Sequence, residues 1–391
     1  MPSRLYADNA ATSFPKPPAV LAAMQSYAES LGASAGRGAY REAIETGELL
    51  ADCRRRLARL IQSEDANSIV FTFNCSGALN QVIQGHLRPG DHVVTTTMEH
   101  NSVLRPLHAM CDAGTIHATY VPADATTGIV NVKTLFEAVR PKTRLIAVVH
   151  GSNVTGSLQP VEQIGTEARK RGIPFLVDAA QTVGHVPIDV TKMNVDFLAV
   201  PGHKGLLGPL GTGALYIRPG LEKSLTPLMQ GGTGSVSEAP VQPAFMPDRF
   251  ETGSHNAIGL AGLGAALTWI EDKTVQALHE QDVALSTRFL KQTDGIAGLT
   301  VYGPKNPRER VAVFSVRIEG LEPTELAALL ESEFDILSRP GFHCAPLAHQ
   351  TIGTDTCGGT TRLSFGAFHT TTDADRCAEA LRRLASIEAP A

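Results

Sequence analysis

Six short apolar runs between residues 65 and 220 constrain this chain more than any other feature. SIVFTF, DHVVTTT, RLIAVVH, PFLVDAA, DFLAVP and GALYIRP are rich in β-branched residues and bounded by turn formers. Near-continuous apolar runs of that length read as strands buried on both faces. Amphipathic stretches separate several of them, and PVEQIGTEARKRG closes on a glycine, as a helix commonly does. The alternation predicts an α/β architecture with a mostly parallel sheet covered by helices. Beyond about residue 255 the pattern changes. Two long helical segments, NAIGLAGLGAALTWIEDK and TVQALHEQDVALSTRFLKQT, precede RVAVFSVRI, PTELAALLESEF, TRLSFGAF and DADRCAEALRRLA. That order predicts a smaller α+β C-terminal domain. The expected division is a large domain over 15–255 and a small one over 256–391 joined by 1–14.

Charge and cysteine usage narrow the partners. The formal net charge is -5 and no basic run occurs, which argues against nucleic acid and anionic membranes. No apolar run approaches the ~20 residues of a membrane span. MPSRLYADNAATSFPKP lacks an apolar signal core, so a cytoplasmic location is expected. The six cysteines, at 53, 75, 111, 344, 357 and 377, form no C-x-x-C pair. Scattered thiols in a chain of this length point to a reducing compartment and to no metal site.

Ligands of open parallel sheets sit at the C-terminal strand ends, so the polar residues just after the strands matter most. Lys204 follows a strand between His203 and a glycine-rich turn. It is a surface loop lysine, or the fixed amine that a Schiff base with an aldehyde cofactor requires. Asp178, after FLV and three residues before Gln181, is a helix cap or the partner of a protonated ring nitrogen. Asn74-Cys75-Ser76-Gly77 runs from strand into helix, where free N–H groups and the positive dipole end suit a phosphate. His100 after a strand can stack on a planar ring or merely pack. Asn153 can donate to a ring oxygen or close a turn.

Taken in order, DNAAT, GRGAY, MEHNSVLRP, HGSNVTG, VDAAQ, GHKGLLGP, ETGSHN and RPGFHCAP resemble the class V aminotransferase family of pyridoxal-phosphate (PLP) enzymes. Within it they are similar to cysteine desulfurases and selenocysteine lyases. The resemblance covers essentially the whole chain. It implies PLP fold type I, with a seven-stranded, mainly parallel sheet in the large domain, and a homodimer. It implies that Lys204 carries the cofactor and shuttles a proton, and that Asp178 faces the pyridine nitrogen. Gln181 and Asn153 match contacts to the ring hydroxyl, and His100 the stacking histidine. Cys75, Ser76 and His203 match phosphate ligands, and Ser254 a hydroxyl reaching the phosphate of the other subunit. Arg339 matches the arginine that grips the substrate carboxylate, with Arg362 a second pocket arginine.

Cys344 then reads as the thiolate that takes sulfur from L-cysteine before passing it to an acceptor protein; L-selenocysteine is the alternative substrate, and its turnover could persist without this thiol because selenium leaves more easily. His343 and Arg339 are its expected sources of positive charge. Cys357 is a spare loop cysteine or a resolving thiol. Three departures from the family pattern bear on the phosphate. Pro201 stands where many relatives have serine, Cys75 replaces a hydroxyl residue, and Ser254 replaces the commoner threonine. The alternatives are another class V enzyme (epimerase, transaminase or kynureninase-like lyase) and a sulfur-transfer scaffold. None of the three chemistries requires a cysteine five residues after the carboxylate arginine, and a scaffold needs no intact lysine–aspartate pair.

Overall fold

The computed structural model describes residues 4–36 and 38–388. Arg37 of the GRGAY motif and the outermost three residues at each end of the expected small domain lie outside the described residues. In chain order the first half comprises β1 (Leu5–Tyr6), α1 (Pro18–Ser26), α2 (Arg41–Leu60), β2 (Ile69–Thr72), α3 (Cys75–His86), β3 (His92–Thr96), α4 (Asn101–Asp112) and β4 (His117–Val121). There follow α5 (Val132–Glu137), β5 (Thr143–Val149), α6 (Val161–Lys170), β6 (Phe175–Asp178), β7 (Phe197–Pro201) and β8 (Gly213–Ile217).

These strands form one seven-stranded sheet in the order β2-β8-β7-β6-β5-β3-β4. Only β8 runs against its neighbours; β2 and the remaining strands share one direction. All six runs read as strands fall in this sheet. The seventh, β4, is half-exposed at the edge, so its sequence HATYV carries no continuous apolar signal. The two faces hold separate cores, one with Val94, Ile146, Val148 and Val177, the other with Val93, Leu145, Ala147 and Leu176. Alternate residues of the same strands point to opposite faces, and both faces are covered.

The C-terminal part comprises α7 (Ala257–Lys273), α8 (Val275–Thr293), β9 (Leu299–Val301), β10 (Val313–Ile318), α9 (Pro323–Phe334), β11 (Ile336–Leu337), β12 (Arg339–Gly341), α10 (Pro346–Thr351), β13 (Thr360–Ser364) and α11 (Thr371–Glu388). An antiparallel sheet β12-β13-β10-β9 packs with α8 and α11 around Phe289, Phe314, Leu363, Phe365 and Leu381. β1 pairs with β11, which draws the N-terminal segment into this unit and sets Asp8 beside Ser364.

The core divides later than the expected boundary at 255. Leu260, Leu263, Leu267 and Ile270 of α7 pack into the large-sheet core, where the helix lies against α1 and α2. Its surface is apolar nearly all round, which specifies burial but not the layer that buries it.

Candidate active site

Five strands deliver the predicted residues to one edge of the large sheet. Asp178 ends β6, Lys204 follows β7, Asn153 follows β5, His100 follows β3, and Cys75 opens the helix after β2. Together with Ser76, Gln181 and His203 they line a single cavity of ≈ 180 Å³. A larger surface groove of ≈ 1050 Å³ between α5 and α6 contains none of these residues, so volume alone does not mark the site.

Lys204 is half-buried in the cavity wall. Burial holds its amine below the usual lysine range, against the opposing pull of Asp178 and Cys75. Asp178 Oδ1 accepts the Ala180 N–H at 2.9 Å and lies 3.5 Å from the Cys75 thiol, which donates to it. His100 caps α4: its Nδ1 accepts the Ser102 N–H at 3.0 Å. Burial, partly offset by Asp178, takes its pKa to about 4, so the ring is neutral with its proton on Nε2. His203 is likewise held at about 4, by burial and then by Lys204 and Lys16. Gln181 donates to the Ala10 carbonyl at 2.9 Å, which ties the N-terminal segment to the cavity wall.

At the other end of the cavity Asn74 caps α3, its side chain accepting the Gly77 N–H at 2.8 Å. Among the described residues no hydrogen bond uses the N–H of Cys75 or Ser76, which leaves two donors at a positive helix end. The Ser76 hydroxyl meets Ser102 Oγ at 2.6 Å, and Ser102 Oγ meets His100 Nδ1 at 2.9 Å. Ser102 thus links the start of α3 to His100. Two buried polar atoms on the cavity wall, Asn153 Oδ1 and His203 Nδ1, have no partner.

Cys344 is exposed on the four residues between β12 and α10. Gly341 (φ 103°), His343 (49°) and Cys344 (60°) all adopt left-handed backbone, which is costly for the two that are not glycine. Two hydrogen bonds pin this turn to the cavity rim. Asn153 Nδ2 donates to the His343 carbonyl at 2.6 Å, and the Asn101 N–H to the Cys344 carbonyl at 2.7 Å. Arg339 Nη2 lies 4.0 Å from Cys344 Sγ. Arg339 faces Arg362 directly across the β12–β13 ladder. Like charges in that position repel unless an anion sits between them. Arg362 is buried, donating to the Asn153 carbonyl at 3.2 Å and to Asp8 at 2.6 Å.

The structure removes His343 as a source of charge for Cys344. Its ring is buried with Nε2 3.1 Å from the Thr360 hydroxyl. Burial first, then Arg362, His349 and Arg339, push its pKa well below the usual range, so it is neutral. Of the two expected charges Arg339 remains beside the thiol, and Arg362 also interacts with it. Ser254 does not line the Lys204 cavity; it is exposed on an adjoining groove that shares Asn74. Cys357 is half-buried and forms no disulfide, its Sγ 3.7 Å from the Thr356 hydroxyl. Sequence reasoning misses Asp8 and Ser102, the first because its partner Arg362 is 354 positions away. No group of His, Cys, Asp or Glu able to hold a metal ion occurs among the described residues.

The chain belongs to the class V aminotransferase family, whose model matches residues 5–377. That family is PLP-dependent, and the fold is PLP fold type I. A probable cysteine desulfurase of Methanothermobacter thermautotrophicus is 34% identical over 386 residues, covering 98% of this chain and 95% of that one. A cysteine desulfurase of Escherichia coli O157:H7 is 31% identical over 390 residues, covering 97% and 93%. The apo structure of cysteine desulfurase from Thermococcus onnurineus NA1 matches with a TM-score of 0.91 at 32% identity, covering 98% and 95%.

Proposed function

We propose that this chain is a PLP-dependent cysteine desulfurase that converts L-cysteine to L-alanine and retains the sulfur as a persulfide on Cys344. The observation that carries the reading is the exposed thiol on a strained turn, hydrogen-bonded to the rim of the Lys204 cavity beside Arg339. The cavity suits PLP. It combines a half-buried lysine, a carboxylate, two free N–H groups at a helix start, and orphan atoms on Asn153 and His203.

Lys204 would hold the cofactor, Asp178 its ring nitrogen, Asn153 and Gln181 its hydroxyl, and His100 its ring face. Cys75 and Ser76 N–H groups, the Ser76 hydroxyl and His203 would hold its phosphate. When bound, PLP supplies the electron sink that labilises bonds at the substrate's Cα and Cβ. Arg339 and Arg362 grip the substrate carboxylate. Lys204 Nζ, its pKa lowered by burial, takes the proton from the substrate Cα. Cys344 Sγ attacks the substrate sulfur: an S–S bond forms, the Cβ–S bond breaks, Cβ takes up a proton, and Lys204 returns a proton to Cα. Alanine leaves and the sulfur stays on Cys344. L-Selenocysteine shares every group that these residues grip, so it belongs to the substrate class.

The exposed Ser254, outside the cavity but beside it, supports a homodimer in which that hydroxyl reaches the partner's phosphate. The four-residue turn gives Cys344 little reach, which supports a sulfur-acceptor protein that approaches the thiol. Unpaired thiols support a cytoplasmic location, and among the described residues no helix is long and apolar enough to cross a membrane. The test is turnover of L-cysteine by Cys344→Ala. That variant should retain PLP and its visible absorbance yet form no alanine or sulfide; undiminished alanine formation would sink the reading.

A further inference from the structure

The Asp178 carboxylate has two oxygens that rotation about its terminal torsion makes interchangeable. Both of its side-chain hydrogen bonds fall on Oδ1. The Ala180 N–H at 2.9 Å is local, whereas the Cys75 thiol at 3.5 Å comes from 103 positions away. Cys75 is buried at the first position of α3, where the Asn74 cap fixes the turn. Its N–H is one of the two free donors at the anion end of the cavity. One residue therefore touches both ends of the cavity, the helix start through its backbone and the carboxylate through its side chain.

We infer that Cys75 is a positioning residue: its thiol holds the Asp178 carboxylate by Oδ1 and reserves Oδ2 for the cofactor's ring nitrogen. The inference rests on the PLP reading above. It also accounts for two cysteines at one site with different fates. Cys344 is exposed beside a guanidinium, while Cys75 is enclosed beside a carboxylate. Burial and then Asp178 keep the Cys75 thiol protonated, as a donor must be.

The experiment titrates PLP into apo wild type and into Cys75→Ala, Cys75→Val and Cys75→Ser, following the visible absorbance and its pH midpoint. Cys75→Ala removes the donor, Cys75→Val removes it while filling the space, and Cys75→Ser restores it. The Ala and Val variants should bind PLP about tenfold more weakly, about 1.4 kcal/mol, with a shifted pH midpoint. The Ser variant should stay within about twofold of wild type with the midpoint unchanged. Ala within twofold of wild type, or Ser as weak as Ala, overturns the positioning role. Wild type that takes up no PLP overturns the cofactor reading instead.

Discussion

Cys344→Gly and Cys344→Ala both delete the thiol, and the pair isolates the strain in its backbone. At φ 60° an L-residue costs about 1–2 kcal/mol that glycine avoids. Glycine loses about 0.5–1 kcal/mol of that advantage through the extra freedom of its unfolded chain. The side chain is exposed and adds no packing difference. The turn's hydrogen bonds, Asn101 N–H to the Cys344 carbonyl and Ala345 N–H to the Phe342 carbonyl, use backbone only and survive in both variants. The glycine variant should therefore be the more stable by about 0.5–1 kcal/mol. Urea unfolding of the PLP-free variants, followed by fluorescence of the single tryptophan, Trp269, measures this. With a denaturant slope of about 3 kcal/mol/M, the glycine midpoint should lie about 0.2–0.3 M higher. An alanine midpoint equal to or above it would refute a left-handed Cys344.

Gly359→Ala should lower kcat/KM on the order of 10²-fold, because its Cβ would stand 2.4 Å from the Gly341 carbonyl oxygen and shift the strand bearing Arg339. Gly172→Ala, also left-handed but with open space around it, should leave kcat/KM unchanged. Asp8→Ala strands the buried Arg362 guanidinium and should cost about 3 kcal/mol, read as a lower urea midpoint; Arg362 keeps its bond to the Asn153 carbonyl, so the loss falls at the low end for buried pairs. His185 Nδ1 lies 3.3 Å from Asp282; burial lowers its pKa, but the Asp282 carboxylate outweighs it and the net shift is upward. Its contribution to stability is therefore complete below the unfolded value of ~6.5 and is lost as pH rises through the higher folded value. His185→Gln should flatten the stability profile across that window.

The large sheet was readable because its strands are buried on both faces and their β-branched runs leave no other period. Edge strand β4 was not, since a half-exposed strand mixes polar and apolar residues. The cavity residues were readable because each follows a strand at the ligand-binding edge, and His100, Asp178 and Lys204 sit within a few positions of a strand end. Contacts between distant segments were hidden: Asp8 with Arg362, Cys75 with Asp178, and the docking of the Cys344 turn on Asn101 and Asn153. Charge states were hidden for a related reason. A histidine beside a reactive cysteine reads as a cation until burial against Thr360 makes it neutral.

The most direct measurement is mass spectrometry of the holoenzyme after a single equivalent of L-cysteine, with alanine quantified in the same sample. The account predicts one added sulfur atom on the peptide bearing Cys344, in proportion to alanine formed. Alanine without sulfur on Cys344, or sulfur first on Cys75 or Cys357, would contradict it.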